Sequence, residues 1–499
     1  MSFLKHIVEN FTRFKDRNAF YIGERFFTYG ELDRATRGIV SLIRAGIQGR
    51  QNAIGVISND DLNTYASILA IWLTGNYMIP LSRNNPFERN IEIIRQAGVR
   101  NIISLEPSQD YIFKIKDITI LKPPEKQIIA RDIDPHVYTE EDLAYIIFTS
   151  GSTGVPKGVP INMKNLQSFI NGYLSFGFSF LPGDRFLQIY DIAFDASIPC
   201  YLIPLLIGAC VFPVPQEEIK YVYALKLMME KDLTVVKMPA SSIVYLKQYF
   251  DRISLKKIRY CILGGESLSQ SLVSEWSKCI PGSVIINAYG PTEVTVNCLL
   301  YKWDSNRPEK QMNGVVSIGK PFGDSQAIIV DKNMNLLGPG KLGELCVSGN
   351  QVARGYLNVP DQTKSTFITL SVNGEEIMFY RTGDLVILDN EGDFLFAGRI
   401  DEQVKIDSYR VELADIERIA GEFHEVRNVA AVAIKTSYET TQIHLFVEGS
   451  KDVKDTLTKY LESRLPYYML PKQVHFLDKF PRSSGGKVNK QELRIKLGA

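Results

Sequence analysis

Residues 144–158 read Ala144-Tyr145-Ile146-Ile147-Phe148-Thr149-Ser150-Gly151-Ser152-Thr153-Gly154-Val155-Pro156-Lys157-Gly158. The first five form an apolar run of strand length, and hydroxyls and glycines crowd the stretch that follows. That stretch cannot pack as core. It suits a loop whose backbone N–H groups and hydroxyls wrap phosphate oxygens, with Lys157 adding positive charge. It is not a Walker A loop, because Pro156 replaces the glycine before the lysine and no Ser or Thr follows. Taken alone, the same residues also suit a surface turn.

Working outward, buried-looking strands at Ala53–Ser58, Asn101–Ser104, Ala144–Phe148, Val235–Met238 and Tyr260–Leu263 alternate with helix-length segments such as Arg89–Gly98 and Ser267–Ser277. Alternation of this kind predicts parallel sheets covered by helices. From about Ser325 the strands come closer together: Ala327–Asp331, Gly343–Ser348, Glu376–Tyr380, Leu385–Leu388 and Asp393–Phe396. Turns such as Gly338-Pro339-Gly340 separate them, predicting a small antiparallel barrel or sandwich. After Asp401 come a helix marked by Val411, Leu413, Ile416, Ile419 and Phe423, strands Val429–Ile434 and Ile443–Val447, and a helix Asp455–Arg464. The last hundred residues thus read as a separate α+β unit.

The 499 residues are 45% hydrophobic and 23% charged, which excludes disordered, collagen-like and fibrous chains. Lys+Arg 57 against Asp+Glu 56 provides no bulk attraction to nucleic acid or anionic membranes. The six cysteines lack metal-ligand spacing and mostly lie in apolar runs, so they read as buried hydrophobes of a reducing compartment. Leu62–Ser82 and Ala196–Gln216 are uncharged, yet turn residues break each into a buried helix, a turn and a strand rather than a membrane span. Phe3, Leu4, Ile7, Val8 and Phe11 mark an amphipathic helix, not a signal peptide. A cytoplasmic location is expected.

Further chemistry-bearing runs follow the loop: Asn287-Ala288-Tyr289-Gly290-Pro291-Thr292-Glu293, Tyr380-Arg381-Thr382-Gly383-Asp384, Gly398-Arg399-Ile400-Asp401 and Gly485-Gly486-Lys487. Each has a plain reading as a turn or solvated loop. In this order they resemble the adenylate-forming superfamily, specifically the amino-acid adenylation domains of nonribosomal peptide synthesis and the D-alanine–carrier protein ligases. The resemblance runs from Phe27-Thr28-Tyr29-Gly30-Glu31-Leu32 to Lys487. It implies an α/β multidomain enzyme. Residues 1–400 would form a large domain of two α/β subdomains and a small β-barrel, and residues 401–499 a mobile α+β domain hinged at Asp401.

The resemblance also implies site roles. Thr149, Ser150, Gly151, Ser152, Thr153, Gly154 and Lys157 would hold the β- and γ-phosphates of ATP. Thr292 would bond the α-phosphate, and Glu293 would help hold Mg²⁺. Tyr289 would stack on adenine, with Gly264, Gly265, Glu266, Asn287, Ala288, Gly290, Pro291 and Phe396 around the nucleoside. Asp384 would accept the ribose hydroxyls, supported by Arg399. Lys487 would bridge the substrate carboxylate and the α-phosphate.

Phe194-Asp195-Ala196-Ser197 matches the segment where amino-acid-activating members keep an aspartate for the substrate ammonium; an N-cap role is the plain alternative. The other pocket positions carry over as Ala196, Pro199, Lys237, Ile262, Gly264, Ala288, Val296 and Asn297. Within the family, a lysine at 237 accompanies aspartate or asparagine as substrate, while physically it could also snorkel out along its strand end. Ser408 stands where the family has glycine, in a loop implied to face the pantetheine tunnel. The expected function is amino acid adenylation followed by transfer to a separate phosphopantetheinylated carrier protein, the chain being free-standing. Rivals are an acyl- or aryl-CoA ligase, a D-alanine–carrier protein ligase, and a nucleotide-binding module without turnover.

Overall fold

A computed structural model describes residues 2–105, 117–124, 135–150, 156–436, 440–482 and 488–498. The chain divides into two compact units, one of residues 1–83, 94–147 and 158–400, the other of residues 84–93, 148–157 and 401–499. No helix among the described residues is long and apolar enough to cross a membrane.

The first unit contains a nine-stranded sheet whose order places Val284–Tyr289, Tyr260–Gly264, Val235–Pro239, Arg185–Gln188, Cys210–Pro213 and Asn18–Ile22 side by side. These run parallel, and antiparallel strands flank them at both edges. A six-stranded sheet is built around Ala53–Ile57, parallel to Tyr77–Leu81 and Asn101–Ile103. Strand Ala53–Ile57 is buried along its whole length, as expected of a sheet covered on both faces.

Both uncharged stretches are helix, turn and strand. The first is helix Leu62–Leu73, started by the Asp61 carboxylate accepting from Thr64 N, and then strand Tyr77–Leu81. The second is helix Ile198–Ile207 and strand Cys210–Pro213. Gly208 between them is left-handed (φ 79°) and packs on Phe14, whose Cε2 a Cβ there would approach to 2.4 Å. The amphipathic N-terminal helix, Phe3–Arg13, closes the same junction. Asn10 Nδ2 donates to the carbonyls of Leu205 (3.0 Å) and Leu206 (2.8 Å), satisfying helix-end acceptors. All six cysteines are buried, and none is in a disulfide.

The small antiparallel sheet differs from expectation at one point. Glu376–Tyr380 and Leu385–Leu388 are not two strands but one, Glu375–Leu388, which pairs with Leu342–Ser348, Phe367–Val372 and Phe394–Arg399. Gly383, left-handed at φ 72°, lets the strand bend through a register shift instead of ending.

In the second unit, helix Leu413–Gly421 packs on strand Asn428–Lys435, which pairs with Thr441–Glu448 and, through it, Gln473–Leu477. Val411 belongs to the hairpin Val404–Ile406/Tyr409–Val411 rather than to that helix. His444 Nδ1 and His475 Nε2 lie 2.9 Å apart on adjacent strands, and burial holds both rings below the ordinary histidine range.

Candidate active site

Parallel strands deliver their carboxyl ends to one edge of the large sheet, where open α/β sheets bind ligands. There Pro239, Gly264 and Ala288 stand in register. Gly264 has a steric reason to be glycine: a Cβ would meet the Ala288 carbonyl oxygen at 2.4 Å. Gly265 follows in the left-handed region at φ 81°.

The cluster around Asp384 is a closed hydrogen-bond network. Asp384, 5% exposed, accepts from the Tyr289 hydroxyl at one carboxylate oxygen and from Arg399 Nη1 at the other. Its amide donates to Thr382 Oγ1 (3.0 Å), and Thr382 donates onward to the Leu345 carbonyl (2.8 Å). Burial, with the Asp384 charge beside it, pushes the Tyr289 phenol well above its usual range, so it stays a donor. Asn287, also buried, donates its amide to the Ser317 carbonyl (2.8 Å) and so fastens the neighbouring loop. Phe396 is half-buried on strand Phe394–Arg399.

Beyond Pro291 the chain makes a tight turn, Thr292–Val294, and then enters the left-handed region at Thr295 (φ 57°) and Val296 (φ 72°). A β-branched residue there is strained, at a cost of order 1–3 kcal/mol per residue, and persists only where its surroundings over-determine it. Gln351, with no exposed surface, does this: Nε2 donates to the Asn297 carbonyl (2.7 Å), and its own carbonyl accepts from Thr295 Oγ1 (2.6 Å). Gly290 lets the turn close, since a Cβ would lie 2.5 Å from Asn297 Cα. Glu293 is fully buried, and its Oε1 accepts from the Tyr356 hydroxyl at 2.8 Å.

The cluster around Asp195 is the opposite of closed. Asp195 opens a short turn ahead of helix Ile198–Ile207, in which Pro199 occupies the first turn; Ser197, not Asp195, is the helix N-cap. The Thr292 hydroxyl bonds the Asp195 carboxylate, whose Oδ2 is buried with no hydrogen-bond partner. Burial pushes its pKa up to about 6, against the pull of Thr292 and Lys237.

Lys237 does not snorkel. It is 5% exposed, its ammonium sits 5.4 Å from the Tyr190 ring centroid, and burial holds its pKa below the lysine range. Its neighbours in charge are Cys200 and Asp195. Asn297 Oδ1 and the Tyr145 hydroxyl are likewise buried without partners. Ile262, Ala288 and Val296 are buried, and Ala196 is half-buried. Buried polar atoms are nearly always paired, so an unpartnered one is a place for an ordered water or for a ligand's polar group.

Gly151, Ser152, Thr153, Gly154 and Lys487 lie outside the described residues. Thr149, Ser150 and Lys157 fall in the second unit. There the Ser150 hydroxyl donates to the Arg410 carbonyl (2.7 Å), and Lys157 is buried. Asp401 is exposed and accepts from Gln403 N at 3.2 Å. Sequence reasoning passed over Tyr190, Gln351 and Tyr356, because no local motif singles them out.

No cluster of three or more His, Cys, Asp or Glu able to hold a metal occurs among the described residues. One buried carboxylate at Glu293 still fits Mg²⁺, which usually relies on one or two carboxylates together with substrate phosphates and water. The bonded Asp384 carboxylate, each oxygen keeping a second acceptor position, fits ribose hydroxyls.

Comparison with known proteins identifies the family. Residues 7–357 match the model of the AMP-binding enzyme family, and residues 415–487 that of the AMP-binding enzyme C-terminal domain. Tyrocidine synthase 1 of Brevibacillus parabrevis is 31% identical over 494 residues, 96% of this chain and 44% of that protein. Bacitracin synthase 3 of Bacillus licheniformis is 30% identical over 488 residues, 96% of this chain and 7% of that protein. This chain therefore spans less than half the length of either.

A Vibrio cholerae adenylation domain solved with glycyl-adenosine-5'-phosphate is 25% identical with a TM-score of 0.85, covering 99% of this chain and 97% of that one. The o-succinylbenzoate CoA synthetase of Bacillus subtilis shares the fold at 20% identity and a TM-score of 0.84, with 98% of each chain covered. The chain therefore belongs to the AMP-binding enzyme family, the ATP-using adenylate-forming ligases, and its homologues are the adenylation domains of nonribosomal peptide synthetases.

Proposed function

We propose that this enzyme activates an α-amino acid with a short polar side chain, aspartate or asparagine, and passes it to a carrier-protein thiol. In the first step a substrate carboxylate oxygen attacks the α-phosphorus of ATP. The bond from that phosphorus to the bridging oxygen breaks and pyrophosphate leaves. In the second step the pantetheine sulfur attacks the acyl carbon, AMP departs, and the thiol proton goes to solvent.

The observation that carries the reading is the unpaired Asp195 Oδ2 in the same buried pocket as the Lys237 ammonium. A buried ion needs an opposite charge and a hydrogen bond. The α-ammonium of an amino acid answers Asp195, and an acceptor oxygen on its side chain answers Lys237. A plain acyl or aryl acid answers neither.

At the other end, Asp384 orients the ribose, with Tyr289 and Arg399 holding its carboxylate. Thr292, whose hydroxyl bonds Asp195 before any ligand arrives, is assigned the α-phosphate by family resemblance, where a donor would favour developing negative charge. Glu293, steadied by Tyr356, would hold Mg²⁺, which when bound neutralises phosphate charge. Lys487 is assigned the carboxylate and α-phosphate by family resemblance. Residues 1–400 would act as the adenylation core and residues 401–499 as a domain that re-seats about Asp401 between the two steps.

The test is amino-acid-dependent ATP–pyrophosphate exchange over the common L- and D-amino acids, with aryl and fatty acids as controls. Exchange with aspartate or asparagine is expected. Exchange only with acids lacking an α-ammonium group would overturn the reading in favour of a CoA ligase.

A further inference from the structure

Tyr190 has two sets of neighbours. Its ring faces the Lys237 ammonium at 5.4 Å. It also lines a cavity of about 230 Å³, together with Tyr65, Gln188 and Asp191. That cavity also opens off strand carboxyl ends, beyond Ile57, Gln188 and Pro213.

The residue is held at its backbone. Tyr190 N donates to Gln188 Oε1 (3.0 Å), and Gln188 Nε2 donates back to the Tyr190 carbonyl (2.8 Å). Gln188 is only 2% exposed, so the clamp is rigid. The Tyr190 hydroxyl lies within electrostatic reach of Asp195 and Glu266. A clamped ring against the Lys237 ammonium, near the unpartnered Asp195 Oδ2, is placed to meet a ligand.

We infer that Tyr190 is a specificity-determining residue that closes the far end of the acid pocket. Its ring seats the Lys237 ammonium against a π face, and its bulk separates the pocket from the second cavity. A side chain one methylene longer than aspartate or asparagine then meets the ring instead of open space. This rests on the proposed assignment of Asp195 and Lys237 to the acid pocket.

The experiment is pyrophosphate exchange by the full chain and its Tyr190→Phe, Tyr190→Leu and Tyr190→Ala variants, each offered aspartate, asparagine, glutamate and glutamine, with thermal melting as the folding check. Removing the ring is expected to raise the ratio of kcat/KM for the five-carbon acids over the four-carbon acids by about tenfold or more, chiefly through KM, the usual scale for one methylene. Tyr190→Phe is expected to leave that ratio within about twofold. An unchanged ratio in folded Tyr190→Ala or Tyr190→Leu overturns the inference.

If the wild type exchanges with neither aspartate nor asparagine, the substrate reading fails. The wall is then tested on whichever acid does exchange and its next homologue, with the same ratio deciding. Should both small variants fail to fold, a wild-type enzyme that takes successive homologues without a sharp loss at one added methylene also overturns it.

Discussion

The residues around Asp384 and those around Asp195, proposed above as the nucleoside and acid ends of the site, follow opposite electrostatic plans. Around Asp384 the carboxylate is bonded on both oxygens, by Tyr289 and Arg399, before any ligand arrives. Around Asp195 one carboxylate oxygen is buried without a hydrogen-bond partner, and so is the Tyr145 hydroxyl within its electrostatic reach. The difference matches what each end must do. A nucleotide is the same in every turnover, so its cradle can be complete in advance and needs no reorganisation on binding. The acid is the variable partner. A pocket of buried polar groups left open rejects any acid that fails to complete them, because the penalty of the unpaired groups then remains.

This contrast between the two ends is most easily broken at Asp195. Replacing it with Asn should lower kcat/KM for the amino acid by about 100-fold or more, since the substrate ammonium loses its buried counter-ion. The same change should raise the melting temperature at pH 8. The sign follows from the raised pKa. The carboxyl titrates at about 6 in the fold, against 3.8 ordinarily, so the folded state binds the proton more tightly and stability falls as pH rises from about 4 to 6. Above pH 6 the full cost is present, and below about pH 4 it vanishes. Melting curves of both proteins at pH 4 and pH 8 check this, and equal melting at pH 8 would show that Asp195 is already compensated.

At the paired end the sign reverses. Tyr289→Phe removes one donor from the buried Asp384 carboxylate and should destabilise the protein by about 1–3 kcal/mol. The KM for ATP should rise with little change in the KM for the amino acid. A variant melting at the wild-type temperature would mean that the network is not closed in the way the distances indicate.

The smallest effect is expected outside both ends. Asp407 (φ 49°) and Ser408 (φ 68°) are consecutive left-handed residues joining Val404–Ile406 to Tyr409–Val411, the pattern of a two-residue hairpin turn that favours Asp-Gly. Ser408→Gly should stabilise the second unit by up to about 1 kcal/mol, read as a small rise in melting temperature. Any change in the exchange reaction would show that the strained serine serves more than the hairpin.

Much of this protein was legible locally. Apolar runs bounded by turn residues located the parallel strands, and the helix–turn–strand reading of residues 62–82 and 196–216 agrees with the structure because each turn carries its own glycine or proline. The single bend of Glu375–Leu388 was read as a break because Gly383 signals both a turn and a bulge, and only its pairing partners distinguish them.

By itself the sequence determined the family and the chemical type of each motif, since those residues lie next to one another along the chain and short spacings carry their meaning. Tertiary structure decided which polar groups are closed and which stay open. Lys237 could have pointed either way until burial placed it over Tyr190. The clamps from Gln351 to Asn297 and from Tyr356 to Glu293 join positions far apart in sequence, across separations of 54 and 63 residues. Pairing across such separations leaves no local pattern, because it depends on how the strands are ordered in the sheets and not on any residue's neighbours in the chain.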